Sequence, residues 1–107
     1  MNIKLEELTR DKDNSEVFYN IINADNGDNV GILFTVENHI AYEVYEKYRG
    51  QGIATDALKY ISKIINKPSL EIYVNNVASK KVALKAGYTL AKTEGDFEIY
   101  HMDKKKK

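Results

Sequence analysis

The sequence predicts an α+β domain: a mixed, mostly antiparallel sheet with two helices packed against it. Three observations carry that expectation. Residues up to 45 hold four short strand-like runs separated by turn-forming or polar residues. From residue 53 the apolar period changes from two to 3.6. Strand-like and helix-like segments then alternate to residue 102. The length of 107 residues supports one core and not two. One domain is therefore expected over 1–103, with 104–107 a basic, disordered tail.

Residues 3–8 make the first strand, and the polar stretch 9–15 connects it to a second at 17–24. That strand runs into Asp25-Asn26-Gly27-Asp28, where Asn-Gly supplies the φ > 0 conformations of a tight hairpin turn. Residues 30–36 (VGILFTV) are continuously apolar, the pattern of a central strand buried on both faces. Glu37-Asn38 forms a second turn, and 39–45 alternates, with Ile40, Tyr42 and Val44 on one side. Between 53 and 65 the apolar residues fall at 54, 57, 58, 61, 64 and 65, one face of a helix. Lys59, Lys63 and Lys67 lie opposite, toward the end where the helix dipole favours cations. Asn66 and Pro68 stop it. A short strand at 70–74 precedes a second helix at 77–86, capped by Asn76 and ended by Gly87. Residues 88–93 and 97–102 close the fold as a hairpin about Glu94-Gly95-Asp96.

Composition removes whole classes of function. With 43% hydrophobic and 30% charged residues the chain reads as an ordinary globule. The absence of cysteine excludes a disulfide framework, a thiolate zinc site, an iron–sulfur cluster and a cysteine nucleophile. No apolar run approaches the ~20 residues of a membrane span. The charged start MNIKLEEL lacks a signal peptide's apolar segment, so the cytoplasm is the default location. Neither nucleic acid nor a membrane is expected as a partner. His39 and His101 sit at strand positions, and no His, Asp or Glu cluster has metal-ligand spacing, so no metal site is expected. The neutral total conceals a split. Residues 1–48 carry four bases against ten acids, a net of −6, and residues 49–107 carry twelve bases against six acids, a net of +6. The positive half suits an anionic ligand and the negative half a cationic one, although chance also produces such splits.

The stretch from Glu43 to Leu58, EVYEKYRGQGIATDAL, carries the chemistry. A strand passes through Arg49-Gly50-Gln51-Gly52-Ile53-Ala54 directly into a helix. The first N–H groups of a helix have no intrahelical partner, and the macrodipole places partial positive charge there. Glycines let backbone approach a phosphate closely, and Arg49 adds a permanent charge. The dinucleotide fingerprint fails because Thr55 stands where its third glycine is required, and no Gly-Lys-Ser/Thr of a P-loop follows. Taken alone, the two glycines also fit a plain strand-to-helix turn.

They are not alone. Arg49, Gly52 and Ala54 fill the pyrophosphate motif of the GNAT superfamily of acyl-CoA-dependent N-acyltransferases: Arg or Gln, two residues, Gly, one residue, Gly or Ala. Asn76-Val77-Ala78-Ser79 and Lys85-Ala86-Gly87-Tyr88 resemble that family's second motif, at the right distance and in order. The stretch 30–102 is similar especially to the branch containing ribosomal-protein N-terminal acetyltransferases. The resemblance implies a GNAT-like sheet whose strands before the two motifs splay at a bulge, with the pantetheine arm of acetyl-CoA in the gap. It further implies that backbone of Val44 and Tyr45 meets pantetheine and the acetyl carbonyl. Gly50, Gln51, Gly52, Ile53 and Ala54 would offer N–H groups to the pyrophosphate, with Arg49 beside them. Asn76 would touch pantetheine, and Ser79 would face the thioester sulfur. An ordinary N-cap and an ordinary first-turn serine are the plainer readings of those two residues.

Two departures stand out. Many relatives carry a Tyr seven residues after the motif Asn as general acid, and here that position is Ala83. Within that resemblance Ser79 is the expected substitute, with Tyr73, Tyr88 and Tyr100 as alternatives. Glu43 is the candidate base, or else a solvent-facing charge on an alternating strand. Relatives also place two helices between the first two strands, where only residues 9–15 stand here. That leaves the acceptor side open, to be walled by a large acceptor such as a protein or by a second copy of the chain in a homodimer. The expected function is acetyl-CoA-dependent N-acetyl transfer to a primary amine of a protein, peptide or small molecule, by direct attack. The alternative is an acyl-CoA-binding module or partner protein without turnover.

Overall fold

The computed structural model describes residues 1–102, and the tail expected at 104–107 lies outside them. In chain order the elements are β1 (Ile3–Arg10), β2 (Glu16–Asn23), β3 (Asn29–Val36), β4 (His39–Val44), α1 (Ile53–Ser62), β5 (Ser69–Tyr73), α2 (Val77–Lys85), β6 (Thr89–Glu94) and β7 (Phe97–His101). A single 3-10 turn at Glu46–Tyr48 leads from β4 toward α1. The strands form one seven-stranded sheet in the order β1-β2-β3-β4-β5-β7-β6. Every neighbouring pair is antiparallel except β4 and β5, which run parallel. This is the expected α+β architecture and element order.

The pleat sorts the residues of the sheet. Tyr19, Leu33 and Tyr42 lie side by side in register, as do Val17, Thr35 and Ile40. This face joins Leu70, Ile72 and Tyr100 in one core with Ala57, Leu58 and Ile61 of α1 and Ala83 of α2. Residues 30–36 were expected to be buried on both faces, and they are not. Val30, Leu33 and Thr35 are buried, while Ile32 and Phe34 stay half-buried. Both helices serve the same core, and on the other face Phe34 stacks on the ring of Phe18 at 4.9 Å.

The interval between β1 and β2 holds a tight turn and no helix. Asp11 stitches it, its carboxylate accepting from the backbone N–H of Ser15 (3.0 Å) and Glu16 (3.2 Å) and from the Ser15 hydroxyl (2.9 Å). In the next turn only Gly27 takes positive φ, at 86°. Asn26, expected to share that conformation, instead accepts the Asp28 N–H on its side chain at 2.9 Å. α1 ends at Ser62, three residues short of the expected 65. Ile61 C=O accepts from both Ile64 (3.0 Å) and Ile65 (3.1 Å), a tightening that turns Ile64 outward, 62% exposed.

Gly31 positions the strand on which the site is built. A Cβ there would stand 2.5 Å from the Glu43 carbonyl oxygen and 3.1 Å from Val44 Cα. Both are backbone, so β3 and β4 would have to separate. Gly31→Ala should therefore lower unfolding stability by about 1–3 kcal/mol, read as a fall in the denaturant midpoint.

Candidate functional site

β4 and β5 are joined at one end and part at the other. Their ladder consists of a single pair, His39 with Ser69. Asn38 reinforces that end: its C=O accepts from Ser69 N–H at 2.8 Å, and its Nδ2 donates to Lys67 C=O at 2.7 Å. Beyond it, β4 follows its six-residue register with β3 and β5 follows its five-residue register with β7. The β3–β4 register is unbroken, so the splay arises without the expected bulge. Two separately anchored strands diverge because each keeps the twist of its own partner. The diverging ends of β4 and β5 are also where the chain turns into α1 and α2, so both helix N-termini flank one opening.

A cleft of about 570 Å³ occupies the opening. It is lined by Glu43, Val44, Arg49, Gly50, Gly52, Ile53, Ala54, Asn76 and Ser79, nine of the residues singled out from sequence. Tyr45 and Gln51 are exposed and do not line it. The structure adds residues that the sequence reading missed. Ala78, Lys81, Val82 and Lys85 line it from α2, at the i, i+3, i+4, i+7 spacing of one helix face. That spacing was legible, but the single buried residue of α2, Ala83, gives no apolar stripe to draw attention to it. Tyr42, Tyr48 and Thr55 complete the additions.

The glycine turn leads into an uncapped helix N-terminus. Gly52 is the N-cap of α1 with φ 79°, and no side chain caps the helix. The Gly52 C=O accepts from Asp56 N–H at 3.1 Å, leaving the earlier N–H groups of the first turn without intrahelical acceptors. Lys81, Lys85 and Arg49 supply positive charge around the cleft, which accounts for part of the charge split. Arg49 has other engagements too. Its Nε donates to the Val44 C=O at 2.9 Å, and its Nη2 lies 3.8 Å from the Glu43 carboxylate. The guanidinium braces the end of β4. Tyr45 N–H donates to Val30 C=O at 3.0 Å, so by alternation the groups of Val44 turn to the other edge, toward the opening. Its carbonyl is taken by Arg49, and its N–H faces the gap.

α2 contributes a fixed corner. The Asn76 side chain accepts from Ser79 N–H at 3.2 Å, so the plain N-cap reading holds. Lys80 Nζ donates to Val74 C=O at 2.6 Å and pairs with Glu98 at 3.5 Å, tying α2 to β7. The alternative phenols do not reach the cleft. Tyr88 is buried against Ser62, Tyr100 donates to Glu98 at 2.7 Å, and Tyr73 stacks on Phe97 at 4.5 Å. Burial and the neighbouring Glu98 carboxylate push the Tyr100 phenol up to about 12. Ala83 is fully buried in the core and does not line the cleft. Glu46 lies just past the end of β4 that carries Glu43, and Glu37 lies beyond the opposite end.

Tyr42 is the unexpected member. Its side chain lies on the helix-covered face of β4, and Glu43 lies on the other face. The Tyr42 hydroxyl is buried and has no hydrogen-bond partner among the described residues. Burial raises its pKa, and the nearby Ser79 hydroxyl, outside hydrogen-bonding geometry, tempers that rise.

No protein-family model matches the sequence, and no curated protein is matched. Solved structures are similar. One is the microcin C7 self-immunity acetyltransferase MccE in complex with acetyl-CoA and AMP, with 20% identity, TM-score 0.68 and 83% of this chain covered. Another is RimL, a ribosomal L7/L12 α-N-protein acetyltransferase in complex with coenzyme A, with 23% identity, TM-score 0.71 and 81% covered. A third is the GNAT domain of PAT from S. lividans, with 19% identity, TM-score 0.70 and 83% covered. The chain spans 61% of the length of each. The likeness shows the fold alone, a GNAT-like α+β fold.

An unpaired buried hydroxyl costs the free protein stability, which gives a direct check on Tyr42. Tyr42→Phe keeps the ring and removes the orphaned oxygen, so it should raise stability by up to about 1 kcal/mol. Thermal or denaturant unfolding of the ligand-free protein reads this out. A buried phenol with a hidden partner would instead give a loss.

Proposed function

We propose that this chain is an acetyl-CoA-dependent N-acetyltransferase acting on a primary amine by direct attack, without a covalent enzyme intermediate. The parting of β4 and β5 beside an uncapped helix N-terminus is the observation that carries the reading. It supports placing an extended pantetheine arm in the gap as an added strand, with the Val44 N–H free to meet its carbonyls. The pyrophosphate then lies on the α1 N-terminus at Gly50, Gly52, Ile53 and Ala54, with Lys81 and Lys85 across the cleft. MccE and RimL, which hold acetyl-CoA and coenzyme A in the same fold, favour this ligand.

The two faces of β4 divide the chemistry. Glu43, on the face that no helix covers, is placed to take a proton from an incoming amine, directly or through water. Tyr42 and Ser79, on the helix-covered face, surround the place left for the sulfur. A neutral amine is required. For a Lys side chain, deprotonation at pH 7 costs roughly 4.6 kcal/mol, against about 1.4 kcal/mol for an α-amine of pKa ~8. A carboxylate beside the amine favours the ammonium form, so Glu43 lowers neither cost and helps only by accepting the proton as the C–N bond forms. The charge of the acidic half, Glu43 and Glu46 included, favours a cationic acceptor. The chain without turnover, an acyl-CoA-binding module, is the second reading, favoured by the buried Ala83 where relatives carry a Tyr.

Acetyl-CoA at a hundredfold excess over its dissociation constant should stabilise the protein by about 2.7 kcal/mol, seen as a rise in Tm. Gly52→Val places a β-branched residue at φ 79° and a side chain where the phosphates lie. It should lower the Tm of the free protein and abolish the ligand-dependent rise. Thiol release from acetyl-CoA across a panel of amines and peptides separates enzyme from module: binding with no release for any acceptor selects the module.

Acceptor charge has its own readout. With acetyl-CoA saturating, kcat/KM for a cationic peptide or polyamine should fall as salt rises from ~20 to ~300 mM, while a neutral amine shows a flatter dependence. Equal slopes would mean that the acidic half steers nothing.

A further inference from the structure

We infer that the Tyr42 hydroxyl is the group that receives the departing CoA sulfur, donating a hydrogen bond to it as the thioester breaks. The inference rests on the acetyl-CoA reading above. It starts from an orphan: the Tyr42 hydroxyl is buried, lines the cleft and is bonded to nothing among the described residues. Buried polar atoms are almost always paired, and one left unpaired at the wall of a cleft is positioned to bond a ligand held there.

Position selects the atom it meets. Tyr42 stands beside Ser79 on the helix-covered face of β4, while Glu43 and Arg49 Nη2 face each other at 3.8 Å on the other side of the strand's end. An acyl group held by the strand edge would have its amine on the Glu43 side and its sulfur on the Tyr42 side. The position seven residues after Asn76, which supplies a phenol in many relatives, is here a core alanine. The phenol comes from the opposite wall instead. Tyr48 also lines the cleft, but its ring lies in the 3-10 turn under the Lys47 ammonium, 5.4 Å from the centroid.

The electron balance fixes the role. The amine lone pair forms the C–N bond at the thioester carbon, and the carbonyl π pair moves onto oxygen. When that pair returns, the C–S bond breaks and sulfur leaves with both electrons as a thiolate. The nitrogen loses its proton to solvent through Glu43. A CoA thiol has a pKa of about 8.5 and a phenol about 10, and burial raises the Tyr42 phenol further. Tyr42 therefore keeps its proton and stabilises the thiolate through a charge-assisted hydrogen bond. The thiolate takes a proton from solvent on release.

The test needs no acceptor. The thiol of CoA bound to the wild-type protein is titrated by its ultraviolet thiolate absorbance and compared with Tyr42→Phe and Ser79→Ala. Wild type should titrate about one pH unit or more below Tyr42→Phe. At alkaline pH, wild type should bind CoA roughly tenfold more tightly than desulfo-CoA, which lacks the sulfur, and Tyr42→Phe should lose that preference. Equal desulfo-CoA affinities for the two proteins show that the variant's cleft is intact. A thiol pKa unmoved by Tyr42→Phe, or moved only by Ser79→Ala, overturns the assignment. Failure of the wild type to bind either ligand overturns the cofactor reading and this assignment with it.

Discussion

The candidate site depends on the way β4 and β5 are pinned at one end only. Asn38 holds that end with two hydrogen bonds, at 2.7 and 2.8 Å, and His39–Ser69 adds the only ladder pair. Parallel neighbours would ordinarily continue to pair, burying their backbone groups against each other. Here each strand is instead held by a full antiparallel partner on its far side, and the near edges are left open. An open strand edge in the middle of a sheet is costly unless something pairs with it. The same feature that weakens the sheet leaves backbone groups of both near edges open to the cleft.

The helices convert that gap into a polar site. Both begin at the diverging strand ends, so two dipoles and the free N–H groups of α1 converge on one mouth. The N-termini are not equivalent. Asn76 satisfies α2, whereas Gly52 leaves α1 uncapped. Arg49, bound to the Val44 carbonyl, holds the end of β4 in the conformation that turns the Val44 N–H toward the gap. Positive charge at the cleft comes in addition from Lys81 and Lys85, on a helix face with almost no apolar signature.

The short connection between β1 and β2 shapes the other side. With a five-residue turn at 11–15 joining β1 and β2, the face bearing Phe18, Ile32 and Phe34 has no helix over it. Aromatic stacking between neighbouring strands, Phe18 on Phe34 and Tyr73 on Phe97, covers part of the apolar surface that a helix would have covered. The same economy leaves Glu43 standing on an open face.

What the sequence determined by itself was local. Periodicity and turn chemistry gave all nine strands and helices in order, with ends displaced by one to three residues, because caps and frayed turns are decided by competing hydrogen bonds such as the pair at Ile61. The glycine turn and the Asn76 cap were legible because a backbone conformation and a helix start each demand particular residue types. What only the tertiary structure decided was which side chains meet. The two-sided burial expected of 30–36 failed because one-dimensional hydrophobicity does not reveal where helices lie. Tyr42 read as one more apolar position on an alternating strand, since its ring belongs to the core face. Its hydroxyl acquires meaning only where β4 parts from β5 and α2 comes alongside, a contact between residues 42 and 79 that no spacing along the chain encodes.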